Sequence, residues 1–312
     1  MLSRVAERVY WAGRYLERAE DVARLVDVHT QLMLDLPKSA GISWKLAMQV
    51  IGLPLPRRRG EVGERELLRL LLTDESSAGS LAAAVAMARE NFRTTRDIIP
   101  TEAWQSVNEL HLFVKSELRW AVGQRRRHEI LSEIVGRIQQ IRGLLNDTMS
   151  HGAAFLFLGI GTHLERADMC TRIIDVAVAS LLKNQQSLEP YDNTLWMSTL
   201  RSVSGYQMYH QYVRRRIRGP DVLSFLFQNA EFPRSVRHCL LELQHCLDGL
   251  PRGKPVVQKL HEVSQVVADL KVAEMDNAAL HAEVDRLQLA LADLNQQMTD
   301  TWFKPEELSR RK

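Results

Sequence analysis

The sequence predicts an all-α protein, a helical bundle of two pseudo-symmetric, duplicated halves with a long C-terminal helix. Three observations carry that reading. Glycine and proline are scarce, at 16 and 10 of 312 residues, about 8% together against roughly 12% in an average protein. The prolines are clustered, with none between Thr101 and Glu189 and none between Val256 and Lys304, so long helices meet no breaker there. Apolar residues recur at helical spacing, and no segment shows convincing strand alternation.

The elements follow in order. Leu2 to Asp35 reads as one helix, with Val5, Val9, Ala12, Leu16, Ala19, Ala23 and Val26 on one side and Pro37 and Gly41 ending it. Ile42–Ile51 is a short helix, Pro54–Gly60 a loop, and Glu64–Leu72 a second short helix. Asp74, Glu75, Ser76 and Ser77 supply capping side chains for a helix reaching Asp97. Pro100 and Thr101 start another, to about Val122. Gly123 and Arg125–Arg127 mark a turn. Glu129–Met149 is helical and Ser150–Gly152 breaks it. Phe155–Leu182 is a long helix, followed by a loop at Pro190–Asn193. Thr194–Ile217 is helical up to Gly219-Pro220, and Asp221–Phe227 is short and apolar. Pro233 suits the first turn of Arg234–Leu247. After the linker Gly249–Pro255, Val256–Trp302 reads as a single long helix. Its apolar stripe slips heptad phase between Leu270 and Leu280. Packing on its own bundle is therefore favoured over a dimerising coiled coil.

Bulk composition excludes several classes. Lys+Arg is 41 and Asp+Glu is 38, a net charge of +3. Residues 1–14 lack the apolar run of a secretory signal. The longest nearly pure apolar run, Ala153–Ile160, falls far short of the ~20 residues of a membrane helix. Three cysteines, Cys170, Cys239 and Cys246, form no disulfide framework and no C-x-x-C pair, which fits a reducing, cytoplasmic location. Arginine triplets at 57–59, 125–127 and 214–216 could contact phosphates. Acidic residues nearly balance them, so helix ends and ion pairs are their expected use, and nucleic acid is not the expected partner.

One segment occurs twice. Gly13–Val28 (GRYLERAEDVARLVDV) matches Gly161–Val176 (GTHLERADMCTRIIDV) at an offset of 148. Trp44 and Trp196, and then Leu67–Leu72 and Val222–Phe227, follow in the same order at slightly larger offsets. The chain thus reads as one domain over residues 1–312, with halves of about 1–150 and 151–303 and a basic tail over 304–312.

Within the repeat, Gly13, Glu17, Glu20, Arg24 and Asp27 share an arc of about 80° on a helix, bordered by Leu16, Ala19, Ala23 and Val26. The second copy places Gly161, Glu165, Asp168, Arg172 and Asp175 likewise. Arg18 and Arg166 lie about 100° away, facing another helix. The two glycines allow close helix approach, at a cost of about 1 kcal/mol each against alanine. Two readings follow. In one, the motif is an ion-pair network that docks the halves. In the other, Glu17, Glu20, Glu165 and Asp168 converge on Mg²⁺ or an amine, while Arg18 and Arg166 take a carboxylate or phosphate. No cofactor is predicted, with Mg²⁺ as the only open alternative. Arg89, Glu90, Asn91, Arg93 and Arg96 form a second polar stripe that pairs with these helices or lines the same cleft.

Weaker metal candidates do not assemble. Glu242-x-x-His245 lacks the second copy that a di-metal bundle needs, and His238-Cys239 and His245-Cys246 lie about 10 Å apart along a helix. Nucleophile elbow, phosphate loop, dinucleotide and H-E-x-x-H motifs are absent.

The segments Tyr15–Glu20, Ala88–Asn91 with Arg93 and Arg96, Glu102-x-Trp104, Ser202–Ser204 with Tyr206, and Phe232–Val236 resemble the Alpha-E family. This is an α-helical bacterial domain with a Glu-Arg motif, and Glu165-Arg166 also fits it. The resemblance implies an all-helical fold over nearly the whole chain. It further implies genes lying beside a circularly permuted ATP-grasp ligase and a transglutaminase-like peptidase. The expected function is an accessory protein acting with such a ligase in peptide or amide-bond synthesis or modification, and homo-oligomers are compatible with it. The alternatives are an enzyme whose Glu/Arg-lined site binds an amino acid, peptide or metal, and a nucleic-acid-binding helical protein.

Overall fold

The computed structural model describes residues 2–37, 40–56, 62–183 and 189–304. Among the described residues there are thirteen α-helices and no strand. Two long helices form the spine: α1 (Ser3–Asp35) and α7 (Ala153–Lys183). They cross in close contact. Glycine makes this possible, since a Cβ on Gly13 would sit 2.3 Å from the Leu158 carbonyl oxygen and one on Gly161 would sit 2.0 Å from that of Tyr10. The relation is reciprocal, because each glycine faces the carbonyl three residues before the other.

Shorter helices wrap the spine: α2 (Trp44–Ile51), α3 (Glu64–Leu72), α4 (Leu81–Arg93), α5 (Thr101–Ala121) and α6 (Gln124–Thr148) come first. After α7 come α8 (Asp192–Ser202), α9 (Tyr206–Val213), α10 (Gly219–Gln228), α11 (Val236–Asp248), α12 (Lys254–Asp269) and α13 (Asn277–Met298). α1 packs chiefly on α4, α6 and α8, while α7 packs chiefly on α11, α13 and α2. The antiparallel pair α5–α6 has a counterpart in α12–α13. α1 is covered on most sides, so it buries Arg14, Glu17, Glu20, Asp21 and His29 along with Val9, Leu16, Val22 and Val26. Such polar burial demands internal partners.

Beyond shifted helix starts (α6 begins at Gln124, ahead of Arg125–Arg127, and α11 at Val236, beyond Pro233 and Arg234), three sequence expectations need correction. Thr194–Ile217 is not one helix. It breaks at Val203–Gly205, where Ser204 takes a positive φ of 55° and the chain turns between α8 and α9. Val256–Trp302 is likewise interrupted at the phase slip, by a short 3-10 turn at Val272–Glu274. There the Gln228 side-chain amide donates to the Leu270 carbonyl at 2.8 Å, satisfying the end of α12. The Asp276 carboxylate caps α13 by accepting from the Ala279 amide at 2.8 Å. α13 therefore turns back along α12 and packs on α7. The third concerns α4, which is capped by Ser80 (accepting from the Ala83 amide) rather than by the 74–77 cluster, and ends at Arg93.

Past α13 a π-turn at Thr299–Phe303 returns to α1, with the Tyr10 and Phe303 rings 5.1 Å apart. Trp302 donates to the Pro251 carbonyl at 2.9 Å. The three cysteines are buried and free. No helix among the described residues is long and apolar enough to cross a membrane. Arg57–Arg59 and most of the predicted basic tail lie outside the described residues.

Candidate functional site

The Glu-Arg segments meet where α1 crosses α7, and they exchange partners. Arg18 grips Glu165 with a fork, Nε to Oε1 at 2.6 Å and Nη2 to Oε2 at 3.0 Å. Arg166 grips Glu17 the same way, Nε to Oε1 at 3.1 Å and Nη2 to Oε2 at 2.9 Å. Each copy's arginine therefore holds the other copy's glutamate. Planar guanidinium suits such two-point bonding to a carboxylate.

Around this exchange the acids divide into two groups that share no arginine among the described residues. The first contains Glu17, Glu20 and Asp21, which are almost fully buried at 0%, 0% and 3% exposure. Arg142 of α6 bridges Glu17 and Glu20. Arg234 reaches all three acids: Nη1 to Glu17 at 2.8 Å and to Asp21 at 2.9 Å, and Nη2 to Glu20 at 2.8 Å. Arg24 bonds Glu20 one turn away. The second group is smaller. Glu165 accepts from Arg18 and from Arg14 Nε at 2.6 Å. Arg14 also donates to the Tyr10 hydroxyl at 3.0 Å and to Asn295 Oδ1 at 3.1 Å, tying in α13.

Local structure places Arg234 just before α11. Asn229 Oδ1 accepts from the amides of Glu231 and Phe232 at 2.8 and 2.7 Å, and Ser235 caps α11 by accepting from the His238 amide at 3.1 Å. This double turn holds the Arg234 side chain against α1.

Electrostatics follow the same division. Burial alone pushes the Glu17 carboxyl up, but Arg142, Arg166 and Arg234 outweigh it and hold the group well below the usual range. Glu165 is also held down, with Arg14 and Arg18 outweighing its burial. Glu20 is lowered, its burial outweighed chiefly by Arg142 and Arg234. Asp21 goes the other way. Burial and then the Glu17 charge push it up to about 8, against Arg234. Its Oδ2 has no hydrogen-bond partner.

The remaining predicted residues lie elsewhere. Asp168 pairs with Arg172 on the same helix at 3.0 Å, away from Glu17 and Glu20. The Arg89–Arg96 stripe neither joins the network nor lines its cleft: Arg89 donates to Asn108 at 2.8 Å and lies over the Trp104 ring. Glu90 and Arg93 pair with each other on the surface at 2.7 Å, the Asn91 side chain donates to the Met87 carbonyl at 2.9 Å, and Arg96 is exposed. Asp27 meets His128 of α6, and Asp175 meets His281 of α13.

Arg14, Asp21, Arg142 and Arg234 are the network members absent from the predicted site. Arg142 does carry a signal, since it lies between Ile138, Ile141 and Leu145 at the edge of an otherwise apolar face. Arg234, read from the sequence as a helix start, lies before α11 and outside its period, so the signal that contains it is the family-like segment Phe232–Val236. Among the described residues, one group of side chains of metal-ligating type also comes together. One ligand atom each of Asp175, His281 and Asp285 lies within 4.8 Å of the others. The spacing suits a divalent transition ion bound by imidazole and carboxylate.

A family model named Alpha-E, described as "A predicted alpha-helical domain with a conserved ER motif", matches residues 1–303. No curated protein and no solved structure matches the chain.

Proposed function

The chain belongs to the Alpha-E family, and on that premise we propose that it is a non-catalytic helical accessory protein whose Glu-Arg motif is an internal lock. The observation carrying this is the sealing of the motif carboxylates. Glu17, Glu20 and Glu165 are buried, and each is bound by two or three guanidinium groups. A catalytic carboxylate needs reach to substrate and a pKa near the working pH. Glu17 and Glu165 have neither, being held below the usual range beneath their arginines. A metal would have to displace the same arginines.

The lock has work to do as structure. A buried ion-pair network adds little net stability but penalises any docking that leaves a charge unpaired. Here it draws α1, α6, α7 and the turn before α11 to one point. The duplicated order of helices supports two related halves held together there. The family resemblance supports the partner, an ATP-grasp ligase forming amide bonds on a peptide or amino acid, with a transglutaminase-like protein encoded nearby.

Co-expression with the neighbouring ligase, followed by affinity capture and mass analysis of the ligase product, tests this. The expected result is a stable complex and a product that is lost or altered when this chain is deleted. No association and an unchanged product would overturn it. Catalytic turnover by the isolated chain that Glu17→Gln abolishes while the melting temperature holds would establish the rival enzymatic reading.

A further inference from the structure

We propose that the cavity beside the larger acid group is a binding site for a small organic carboxylate with an apolar body, such as the C-terminal end of a peptide. The cavity lies between α1, α6 and α7 and has a volume of about 200 Å³. That is room for roughly six waters at the ~30 Å³ each occupies in the liquid. Arg142 and Arg166 line it on one side, with His163 and Asn146, while Phe155 and Leu158 supply apolar wall.

Charge arithmetic favours an anion. The larger group joins four guanidinium groups, Arg24, Arg142, Arg166 and Arg234, to Glu17, Glu20 and Asp21. Even with all three acids ionised it carries one excess positive charge. With Asp21 protonated, as its shift to about 8 implies at neutral pH, it carries two. The accessible part of this group is cationic: the side chains of Arg142 and Arg166 keep 22% and 12% of their surface, and that of Glu17 keeps none. The bonds of Arg142 to Glu17 and Glu20 use Nη1 and Nη2 and leave Nε over. His163 adds no charge, since burial and then Arg166 push its imidazole down to about 3. The cavity on the other side of the crossing differs. It holds about 150 Å³ and is lined by Arg14 and Arg172 together with Asp168, an internal counter-charge. Guanidinium groups that belong to a cluster with excess positive charge, set next to aliphatic and aromatic wall, select a carboxylate on a hydrophobic body.

Titration calorimetry on the full chain tests this with three probes: N-acetyl-L-leucine, N-acetyl-L-leucinamide and inorganic phosphate. The acid is expected to bind about tenfold or more tighter than the amide, the scale of one charge-assisted hydrogen bond. Asn146 is exposed on the rim and outside the lock. Asn146→Glu should therefore weaken the acid about tenfold or more and Asn146→Lys should not, with unchanged melting temperatures. Phe155→Ala should weaken the acid as well. Equal binding of acid and amide, no binding of the acid, phosphate binding alone, or an Asn146→Glu variant that binds like wild type would each overturn the site. Ligase capture is a separate readout, so the accessory role and this site fail independently.

Discussion

The two copies of the Glu-Arg segment start from the same residues and end in different surroundings. Both contribute one arm of the reciprocal fork, Arg18 to Glu165 and Arg166 to Glu17. Beyond the fork they diverge. Glu17 gains Arg142 from α6 and Arg234 from the turn before α11, and Glu20 and Asp21 join it. Glu165 gains only Arg14, and the position matching Asp21 is Met169, a core residue. The shared part sets the helix crossing. The unshared part decides which outer elements are clamped to it, and only the first copy builds a large charged cluster.

Unequal loss of the two glutamates is the strongest way to break this comparison. Glu17→Gln leaves three arginines short of a carboxylate in a buried site. Breaking buried pairs in this way costs about 3–5 kcal/mol, which denaturant unfolding would register as a lowered midpoint. Glu165→Gln strands two arginines, one of which, Arg18, keeps 20% of its side-chain surface in solvent. A cost of about 2 kcal/mol is expected there, within the range for losing charged hydrogen bonds. Equal losses would mean that the extra arginines of the first copy contribute nothing.

The crossing itself is tested at Gly161. An added methyl would lie 2.0 Å from the Tyr10 carbonyl oxygen and 3.0 Å from its carbon. Those are backbone atoms, so the helices must separate. Gly161→Ala should cost about 2–3 kcal/mol, as overpacking does, despite alanine's higher helix propensity. A gain in stability would show that the crossing is looser than the fork geometry requires.

The unequal legibility of these parts has a physical cause. The fork was readable because its members lie within one short repeated segment at fixed helical spacing. Helical spacing turns Arg18 and Arg166 away from the stripe, but it does not say that each one's partner is the other copy's glutamate. Arg142 and Arg234 come from distant parts of the chain, and only folding brings them to Glu17. Helix identities were readable from periodicity, yet the breaks at Val203–Gly205 and Leu270–Asp276 were not, since neither contains proline. One is marked by a positive φ at a serine and the other by a side-chain cap. The heptad slip was the visible trace of the second.

Asp21 offers a pH test of the first copy alone. Its folded pKa is raised to about 8, against an ordinary value near 3.9. Its contribution is therefore complete below pH ~4 and is lost as pH rises towards 8, because the folded state holds a proton that the unfolded chain releases. His29 and His163, lowered by burial to about 4 and about 3, act oppositely. Their contribution is present above pH ~6.5 and is lost as pH falls. Comparing wild type with Asp21→Asn isolates the aspartate. The variant keeps an oxygen for Arg234, so its melting temperature relative to wild type should rise from pH 5 to about pH 8 and level off above that. A pH-independent difference would place Asp21 as an ordinary ionised partner of Arg234.

The smallest effect is expected at a Glu-Arg pair on the surface. Glu90 and Arg93 bond through two contacts at 2.7 and 2.8 Å, which on distance alone rivals the buried fork. Their side chains, however, are 53% and 51% exposed. Water solvates both ions before and after the pair forms, and salt screens what attraction is left. Glu90→Ala should therefore leave the unfolding midpoint within measurement error at 150 mM salt, while Glu17→Gln does not. A clear loss at Glu90 would show that a surface pair of the same chemistry stabilises the bundle comparably, and that burial is not what separates the lock from the rest of the chain's arginines.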